Sequence, residues 1–296
     1  MKIAIVINPV SGRRGHRVSE GSARVALAQR TLQACGVAAD VALTRGPGHG
    51  TELSSAFLAA GADLIVAWGG DGTVNEVAGP LIGSRAALGI VPSGSGDGLA
   101  LSLDLPFDPV RALQTALNGQ ATAMDVGFIG PRHFLNVAGI GFDAVVADAF
   151  NRPGKRGALR YVTQTLALVW RYRCRSYEVE LDGHVSSGER FVIGFANGRE
   201  YGNHLVLDGR ADPFDGWLNV VICDSGPPLS QIWRARRLAF RPGYPASGIT
   251  RVKAQRARVT SDDLSCHADG ETFQMSGTLE VRVRAQAINV RRGPVS

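Results

Sequence analysis

Residues 62–76, ADLIVAWGGDGTVNE, join an apolar run to three glycines, an aspartate and a threonine. An apolar run that ends in glycines and continues into a helical pattern is typical of a buried parallel strand entering a helix. Because glycine has no Cβ, the N–H groups of Gly69, Gly70 and Gly72 can approach an anion closely. The start of the following helix adds further N–H groups. The stretch therefore predicts an anion-binding turn at the end of a buried strand.

Three similar strand–loop–helix units surround this stretch. Their apolar runs cover residues 2–7, 37–43 and 86–91, and the loops that follow read NPVSGRRG (8–15), TRGPGHG (44–50) and PSGSGDG (92–98). Apolar strands that alternate with helices indicate a parallel sheet covered on both faces. Ligands bind such sheets beyond the carboxyl ends of the strands, where the loops gather. Two glycine-rich loops at one edge favour an extended phosphate chain, such as that of a nucleoside triphosphate.

The pattern changes near residue 126. Two helical stretches follow, around 142–150 and 157–173, and then alternating runs such as SYEVELDG and LEVRVRAQAINV. Alternation of this kind is typical of antiparallel strands. We therefore predict an α/β domain at 1–126 with a mainly parallel sheet, to which a C-terminal strand at 286–296 could return, and an antiparallel β-rich domain at 127–285.

The helical stretch at 157–173 has an apolar face formed by Leu159, Val162, Leu166 and Val169. One interpretation places this face in the core. The other places it along a groove for an acyl chain, with the flanking arginines resting on an anionic membrane. Without a lipid anchor, attachment to that membrane would be transient.

Length and composition describe an ordinary globular chain. The 296 residues, 45% hydrophobic and 20% charged, suffice for one large or two medium domains. No apolar run reaches the roughly 18 to 20 residues of a membrane span, and the N-terminus is a poor secretory signal. The four cysteines form no CxxC pair, which favours reduced thiols in the cytoplasm over a disulfide framework or a zinc site.

The net charge of +6 comes mainly from arginines that cluster in the second half of the chain. Basic clusters attract phosphates or anionic lipid surfaces. No zinc finger, RNP-like aromatic motif or basic heptad region accompanies them, so nucleic acid is not an expected partner.

The charge of a bound phosphate chain has few side chains to balance it. The sequence contains no GxxxxGK[ST] motif, no clear GxGxxG fingerprint and no lysine near a glycine loop. Arg13, main-chain amides and a cation would then carry this role. An aspartate beside a phosphate repels it unless Mg²⁺ lies between them, and this is the role predicted for Asp71.

Together the motifs resemble the catalytic family of the diacylglycerol kinases, which includes bacterial lipid kinases and the sphingosine and ceramide kinases. The matching stretches are NPVSG (8–12), GGDGTVNEV (69–77), PSGSGDGLA (92–100), NVAGIGFDAVV (136–146), ADPFDGWLNVVI (211–222) and ADGE (268–271). They follow one order along nearly the whole chain, which is far more specific than GGDG alone.

The resemblance implies ATP-dependent phosphorylation of a lipid hydroxyl in a cleft between an α/β domain and an antiparallel β-sandwich. The implied nucleotide-binding residues are Asn8, Arg13, Thr44, Gly69, Gly70, Asp71, Gly72, Thr73, Asn75, Glu76, Gly94 and Ser95. The implied magnesium site involves Asp215, Asp125, Asp212 and Trp217. Glu271 matches the general base, with Asp269 and Asp71 as rivals. The implied partner is a lipid at an anionic membrane surface, and the resemblance is also compatible with a homodimer.

One motif departs from the family pattern. Many bacterial relatives carry GTxND in the fourth loop, where this chain has Ser95, Asp97 and Gly98. The loop looks closer to the sphingosine and ceramide kinase version, and the change leaves the acceptor lipid open. Two alternatives also stay open: an NAD kinase-like enzyme with a soluble acceptor, and a non-catalytic regulator that binds lipid or nucleotide.

Overall fold

The computed structural model describes residues 1–12, 18–151, 167–202, 205–240 and 246–293, with the backbone alone for residues 18–19, 150–151 and 235–240. The chain forms two compact units. The first comprises Met1–Val126 and Ala285–Ser296, and the second comprises Gly127–Arg284.

The first unit contains a parallel sheet with the strand order β4-β3-β1-β2. Its strands are β1 (Ile3–Ile7), β2 (Asp40–Leu43), β3 (Leu64–Gly69) and β4 (Ala87–Pro92). The central strands β1, β3 and β4 are buried along their whole length, which explains why their sequences are apolar rather than alternating. The final strand of the chain adds a parallel pairing, with Asn289 and Val290 beside Ala87 and Leu88 of β4.

Five α-helices connect and cover these strands. They are α1 (Val18–Ala34), α2 (His49–Ala59), α3 (Asp71–Ala78), α4 (Gly98–Ser102) and α5 (Pro109–Asn118). Helix α5 shows how local sequence defines a boundary: the Asp108 carboxylate accepts a hydrogen bond from the Arg111 N–H at 2.9 Å, and Pro109 occupies the first turn. Helices α1 and α5 pack on β1, β3 and β4 to form the core.

The described residues of the second unit form antiparallel strands and two longer helices. The strands are β5 (Gln120–Ile129), which begins in the first unit, β6 (Arg132–Phe134), β7 (Val137–Gly141), β8 (Arg175–Leu181), β9 (His184–Ala196), β10 (Glu200–Gly202), β11 (Leu205–Val206), β12 (Leu218–Asp224), β13 (Ile249–Ala254), β14 (Arg256–Ala268) and β15 (Glu271–Arg292), which ends in the first unit. The helices are α6 (Phe142–Asn151) and α7 (Pro228–Phe240). Their pairings, such as β7 with β9, β9 with β12 and β14 with β15, are antiparallel.

The predicted helix at 157–173 falls mostly outside the described residues. Only its end is described, where residues 167–171 are helical. Val169 is buried there against Phe142 and Phe191, so this one position of the predicted stripe belongs to the core. Across the described residues, no helix is both long and apolar enough to cross a membrane.

Candidate functional site

The two glycine-rich loops of the first unit touch each other through their backbones. Gly70 precedes helix α3 in an extended conformation, and a Cβ placed on it would lie 3.0 Å from the Gly94 Cα. A Cβ on Gly94 would lie 2.7 Å from the Gly70 Cα. Side chains at either position would force the loops apart. Glycine is therefore required here for the close approach of the loops, which leaves main-chain groups as the lining of this edge.

The first turn of α3 offers two amide groups. In the described part of the chain, the N–H groups of Gly72 and Thr73 donate no hydrogen bond, as expected of the second and third residues of a helix. Such amides, with the positive end of the helix dipole, form an anion-binding site. Asn8 fixes this turn to the first loop, because its Nδ2 donates to the Thr73 Oγ1 at 2.8 Å.

Glu76 has a different position from that of a ligand-binding group. Its two carboxylate oxygens accept hydrogen bonds from the N–H groups of Gly48 and Gly50 at 2.7 and 2.9 Å. The residue thus holds the loop that follows β2 against α3. Thr44 begins this loop, is buried, and donates its N–H to the Ile7 carbonyl at 2.9 Å.

Arg24 organises the first loop, although its role has no marker in the sequence. Its guanidinium donates to the carbonyl of Asn8 at 2.5 Å, to the carbonyl of Ser11 at 2.7 Å and to the Ser11 Oγ at 2.6 Å. The Ser11 Oγ lies 2.7 Å from the Ser93 Oγ, which links the first loop to the fourth. Arg13, the cation predicted for the phosphates, and its neighbours to residue 17 lie outside the described residues.

Two carboxylates lie beside the glycine loops. Asp71 accepts hydrogen bonds from the N–H groups of Gly98 and Leu99 at 3.2 and 3.3 Å, so it caps α4. Asp97 is only 6% exposed, has a φ of 48° and accepts from the Gly94 N–H at 2.9 Å. Burial, followed by the proximity of the Asp71 charge, raises the pKa of Asp97 to about 7 against the opposing effect of the Gly94 bond. Asp97 therefore changes charge near neutral pH.

Ser95 and Asn75 complete the set predicted for the nucleotide. Ser95 is exposed in the fourth loop, between Gly94 and Asp97, and Asn75 lies half-buried in α3. The structure thus gathers most of the predicted nucleotide residues of the first unit around α3 and the fourth loop.

The acidic residues predicted to hold a metal have other partners. In the second unit, Asp215 pairs with the Lys253 ammonium at 2.5 Å and accepts from the Trp217 N–H at 2.9 Å. Asp212 accepts from the Phe214 N–H at 3.1 Å, as in an Asx turn. In the first unit, the fully buried Asp125 accepts from the Gln286 N–H at 2.8 Å.

These residues do not form a preorganised metal cage. Among the described residues no group of three His, Cys, Asp or Glu side chains could hold a metal ion. Mg²⁺ commonly binds through one or two carboxylates together with substrate phosphates, and Asp71 and Asp97 supply such carboxylates beside the glycine loops. Asp215 would have to exchange Lys253 for the metal. The donor set thus fits Mg²⁺ brought with a phosphate chain.

The ADGE motif contains two acids with distinct surroundings. Asp269 and Gly270 have φ values of 46° and 87° and form the two-residue turn of the β14–β15 hairpin. The Asp269 carboxylate accepts from the N–H groups of residues 135, 136 and 137 at 2.7, 3.0 and 3.0 Å. It is therefore an anchor. Glu271 is exposed at the start of β15, and its carboxylate forms no hydrogen bond or ion pair in the described part of the chain.

A buried polar group behind this turn escaped the sequence-based prediction. The His267 Nε2 lies 2.8 Å from the Asp143 Oδ2, which also accepts from the Tyr201 hydroxyl at 2.8 Å. The His267 Nδ1 lies 3.4 Å from the Gly270 nitrogen. The available signals were the position of His267 on the strand before the turn and the GIGFDA motif that contains Asp143.

Both halves of the chain match protein-family models. Residues 2–129 match the diacylglycerol kinase catalytic domain, and residues 136–292 match the YegS C-terminal NAD kinase beta sandwich-like domain. These matches confirm the expected two-domain architecture with a C-terminal antiparallel β-sandwich.

Individual relatives extend over nearly the whole chain. A diacylglycerol kinase of Mycobacterium tuberculosis is 29% identical over 98% of this chain and 95% of its own. A Pseudomonas putida protein named "Probable lipid kinase YegS-like" is 30% identical over 88% of this chain and 87% of its own. A solved diacylglycerol kinase structure from Bacillus anthracis covers 99% of this chain and 97% of its own, with a TM-score of 0.78 at 19% identity. The last comparison shows a shared fold.

Proposed function

Because the chain belongs to the family of diacylglycerol kinases and YegS-like lipid kinases, we propose that it transfers the γ-phosphoryl group of ATP to a lipid hydroxyl. One observation carries the nucleotide part of this proposal. The backbone contact between Gly70 and Gly94 joins two glycine loops beside the amides of Gly72 and Thr73. Main-chain donors at glycine-rich loops suit a polyphosphate, which carries many acceptor oxygens.

The remaining nucleotide-site residues position these loops. Arg24 and Asn8 hold the first loop, and Glu76 holds the loop after β2. A preorganised loop set binds its ligand without first losing the conformational entropy of free loops. Phosphoryl transfer relies mainly on such positioning and on neutralising charge. Arrangement of the loops is thus the main contribution that we assign to the first domain.

Magnesium bound with ATP would neutralise charge on the β- and γ-phosphates and orient them. Asp71 and Asp97 are the residues of this chain that would hold it, because both carboxylates adjoin the glycine loops. Their existing hydrogen bonds to main-chain amides keep both groups in place.

Glu271 is the residue that we assign as general base. A base needs a carboxylate that can reach the attacking hydroxyl and accept its proton. The Glu271 carboxylate is exposed and has no hydrogen-bond or ion-pair partner in the described part of the chain, whereas three amides donate to Asp269 and two donate to Asp71. Asp269 and Asp71 therefore have structural roles that explain their presence. Glu271 has no such structural role.

A lipid panel tests the proposal. The purified chain with Mg-ATP should phosphorylate at least one of diacylglycerol, a sphingoid base, ceramide or phosphatidylglycerol, with the product identified by mass spectrometry. The Glu271→Gln variant, prepared in parallel, measures the background of contaminating kinases. Turnover no higher than this background with every lipid would overturn the proposal. Formation of NADP from NAD and ATP would establish the soluble-acceptor alternative, and binding of ATP or lipid without any turnover would establish the regulator.

A further inference from the structure

Two separate segments of the second unit expose a tryptophan that is followed by arginines. The first reads WRYRCR at residues 170–175, and the second reads WRARR at residues 233–237 in α7. Trp170 is 61% exposed and Trp233 is 47% exposed. Large aromatic side chains with this much contact with water are uncommon, since burying one is strongly favourable.

The two segments pack on the same small apolar cluster, which contains Phe142, Phe191 and Cys223. Val169 lies within this cluster and Ile232 packs against it. The inward side chain thus directly precedes the exposed tryptophan in each segment. The tryptophans are therefore exposed on elements whose other side is already packed in the core.

Helix α7 exposes a second large apolar side chain on the same face. Leu229 is 71% exposed and lies four residues before Trp233, so the two are neighbours on the helix surface. Gln231 is buried and its Nε2 donates to the Asp224 carbonyl at 3.0 Å, which fixes the rotation of α7 about its axis. The exposure of Leu229 and Trp233 follows from this fixed rotation.

The two segments that carry these apolar side chains are rich in arginine. Residues 167–177 contain three arginines and residues 226–248 contain four, and neither range contains an acidic residue. Arg171 and Arg173 are exposed and form no ion pair in the described part of the chain. By contrast, Arg175 pairs with Asp263 at 2.6 Å, and Arg234 donates to main-chain carbonyls. Arg171 and Arg173 are thus available to an external anion.

We propose that Trp170, Arg171, Arg173, Leu229 and Trp233 form a docking surface for an anionic lipid membrane, here called the Trp–Arg surface. Tryptophan and leucine on a basic helix are the side chains that enter the boundary between headgroups and acyl chains. Arginines beside them attract the phosphates of anionic lipids. A protein partner would equally cover the apolar side chains, but the exposed Arg171 and Arg173, in a segment without acidic residues, favour a surface dense in phosphate. This surface is inferred from exposure and charge and does not depend on the proposed kinase activity.

Cosedimentation of the full chain with vesicles tests the surface. Wild-type protein should bind vesicles of phosphatidylcholine mixed with phosphatidylglycerol, should bind phosphatidylcholine alone much less, and should be released by salt because screening weakens the attraction. The double variant Leu229→Ser, Trp233→Ser should bind about tenfold less, as should Trp170→Ser. Arg171→Gln with Arg173→Gln should lower binding to the mixed vesicles and leave the weak binding to phosphatidylcholine unchanged.

Val185→Ser is the matched control, because Val185 is 62% exposed on β9 and lies outside the Trp–Arg surface. It should bind as wild type does. The unfolding midpoint of each variant should match that of wild type, which shows that lost binding does not reflect lost folding.

Three results would overturn the proposal: no binding of wild type to the mixed vesicles, equal loss in the Val185 control, or unaltered binding of the Leu229, Trp233 variant. An oligomer in size-exclusion chromatography that dissociates in the tryptophan variants, without vesicle binding, would assign the surface to a second copy of the chain. Vesicle binding without lipid phosphorylation would reject the proposed activity and leave this surface standing.

Discussion

Replacing Asp97 with asparagine should make the stability of the first domain less dependent on pH. Asparagine has the same shape, and its Oδ1 can still accept the hydrogen bond from the Gly94 N–H that Asp97 accepts at 2.9 Å. The Asp97→Asn substitution therefore removes the titration and little else. Its effect isolates the cost of an ionised carboxylate at a buried position beside Asp71.

The direction follows from the raised pKa. An aspartate in an unfolded chain has a pKa of about 3.9, whereas burial and the Asp71 charge raise the pKa of Asp97 to about 7 in the folded protein. Between these values the folded protein retains a proton that the unfolded chain has lost. The free energy of unfolding must therefore fall as pH rises from about 4 to about 7, and stay reduced above that.

The rise in the pKa of Asp97 sets an upper limit on this loss of unfolding free energy. A rise in pKa from 3.8 to about 7, at about 1.4 kcal/mol for each unit, sets an upper limit of about 4 kcal/mol. Residual hydration of the carboxylate reduces this, and we expect about 2 to 3 kcal/mol. Asp97→Asn should thus exceed wild type in unfolding free energy by that amount at pH 8, while the two proteins should differ little at pH 4.5.

Urea unfolding followed at several pH values measures this difference. Asp104→Asn is the matched control for replacing an aspartate of positive φ, since Asp104 is an exposed aspartate with a similar φ of 53°. Asp71→Asn should move the pH dependence of wild type to lower pH, because it removes one of the causes of the raised pKa. If Asp97→Asn unfolds with the pH slope of wild type, the assignment of the titration to Asp97 is wrong.

Four further substitutions probe the site. Glu271→Gln should lower turnover by about 10² to 10⁴-fold without changing the unfolding midpoint. Asp269→Ala should instead destabilise the fold by about 1 to 3 kcal/mol, because it leaves three amides without an acceptor. Steady-state kinetics and thermal unfolding separate these two effects. Gly70→Ala should weaken ATP binding about tenfold or more in calorimetry, because its Cβ would press on Gly94. Glu76→Ala should raise KM for ATP and speed proteolysis of the 44–50 loop, and unchanged values of both would contradict the positioning role.

The strands could be predicted from sequence because their burial leaves a local signature. β1, β3 and β4 are buried throughout, so apolar residues run without interruption in the sequence. The ends of the chain's last strand were harder to predict. β15 runs from Glu271 to Arg292, far beyond the predicted run, and it pairs with β14 in one unit and with β4 in the other. The return of a C-terminal strand to the first domain was allowed by the sequence, but the partner strands and their register depend on distant residues, which local alternation cannot identify.

The different surroundings of Asp269 and Glu271 show the same limit within the candidate site. The two acids are two residues apart in one turn, and sequence spacing gives them equal standing. What distinguishes them is the set of amides at residues 135–137, which are more than 130 positions away in sequence. Motifs could therefore indicate the two candidate acids, whereas the distinction between the anchored Asp269 carboxylate and the exposed Glu271 carboxylate required the tertiary contacts.

Asp97 connects the departure from the family motif to a physical constraint. It stands where the resembling GTxND pattern has asparagine, in a backbone conformation of positive φ that both residues tolerate. With a pKa of about 7, the carboxyl group is neutral in much of the population near neutral pH, and a neutral carboxyl still accepts the Gly94 hydrogen bond as an amide would. The loop thus keeps its shape when asparagine is replaced. The aspartate lowers stability only when Asp97 ionises beside the charged Asp71, and bound Mg²⁺ would offset this repulsion. Mg-ATP should therefore stabilise wild type more at pH 8 than at pH 6. It should stabilise Asp97→Asn about equally at both pH values.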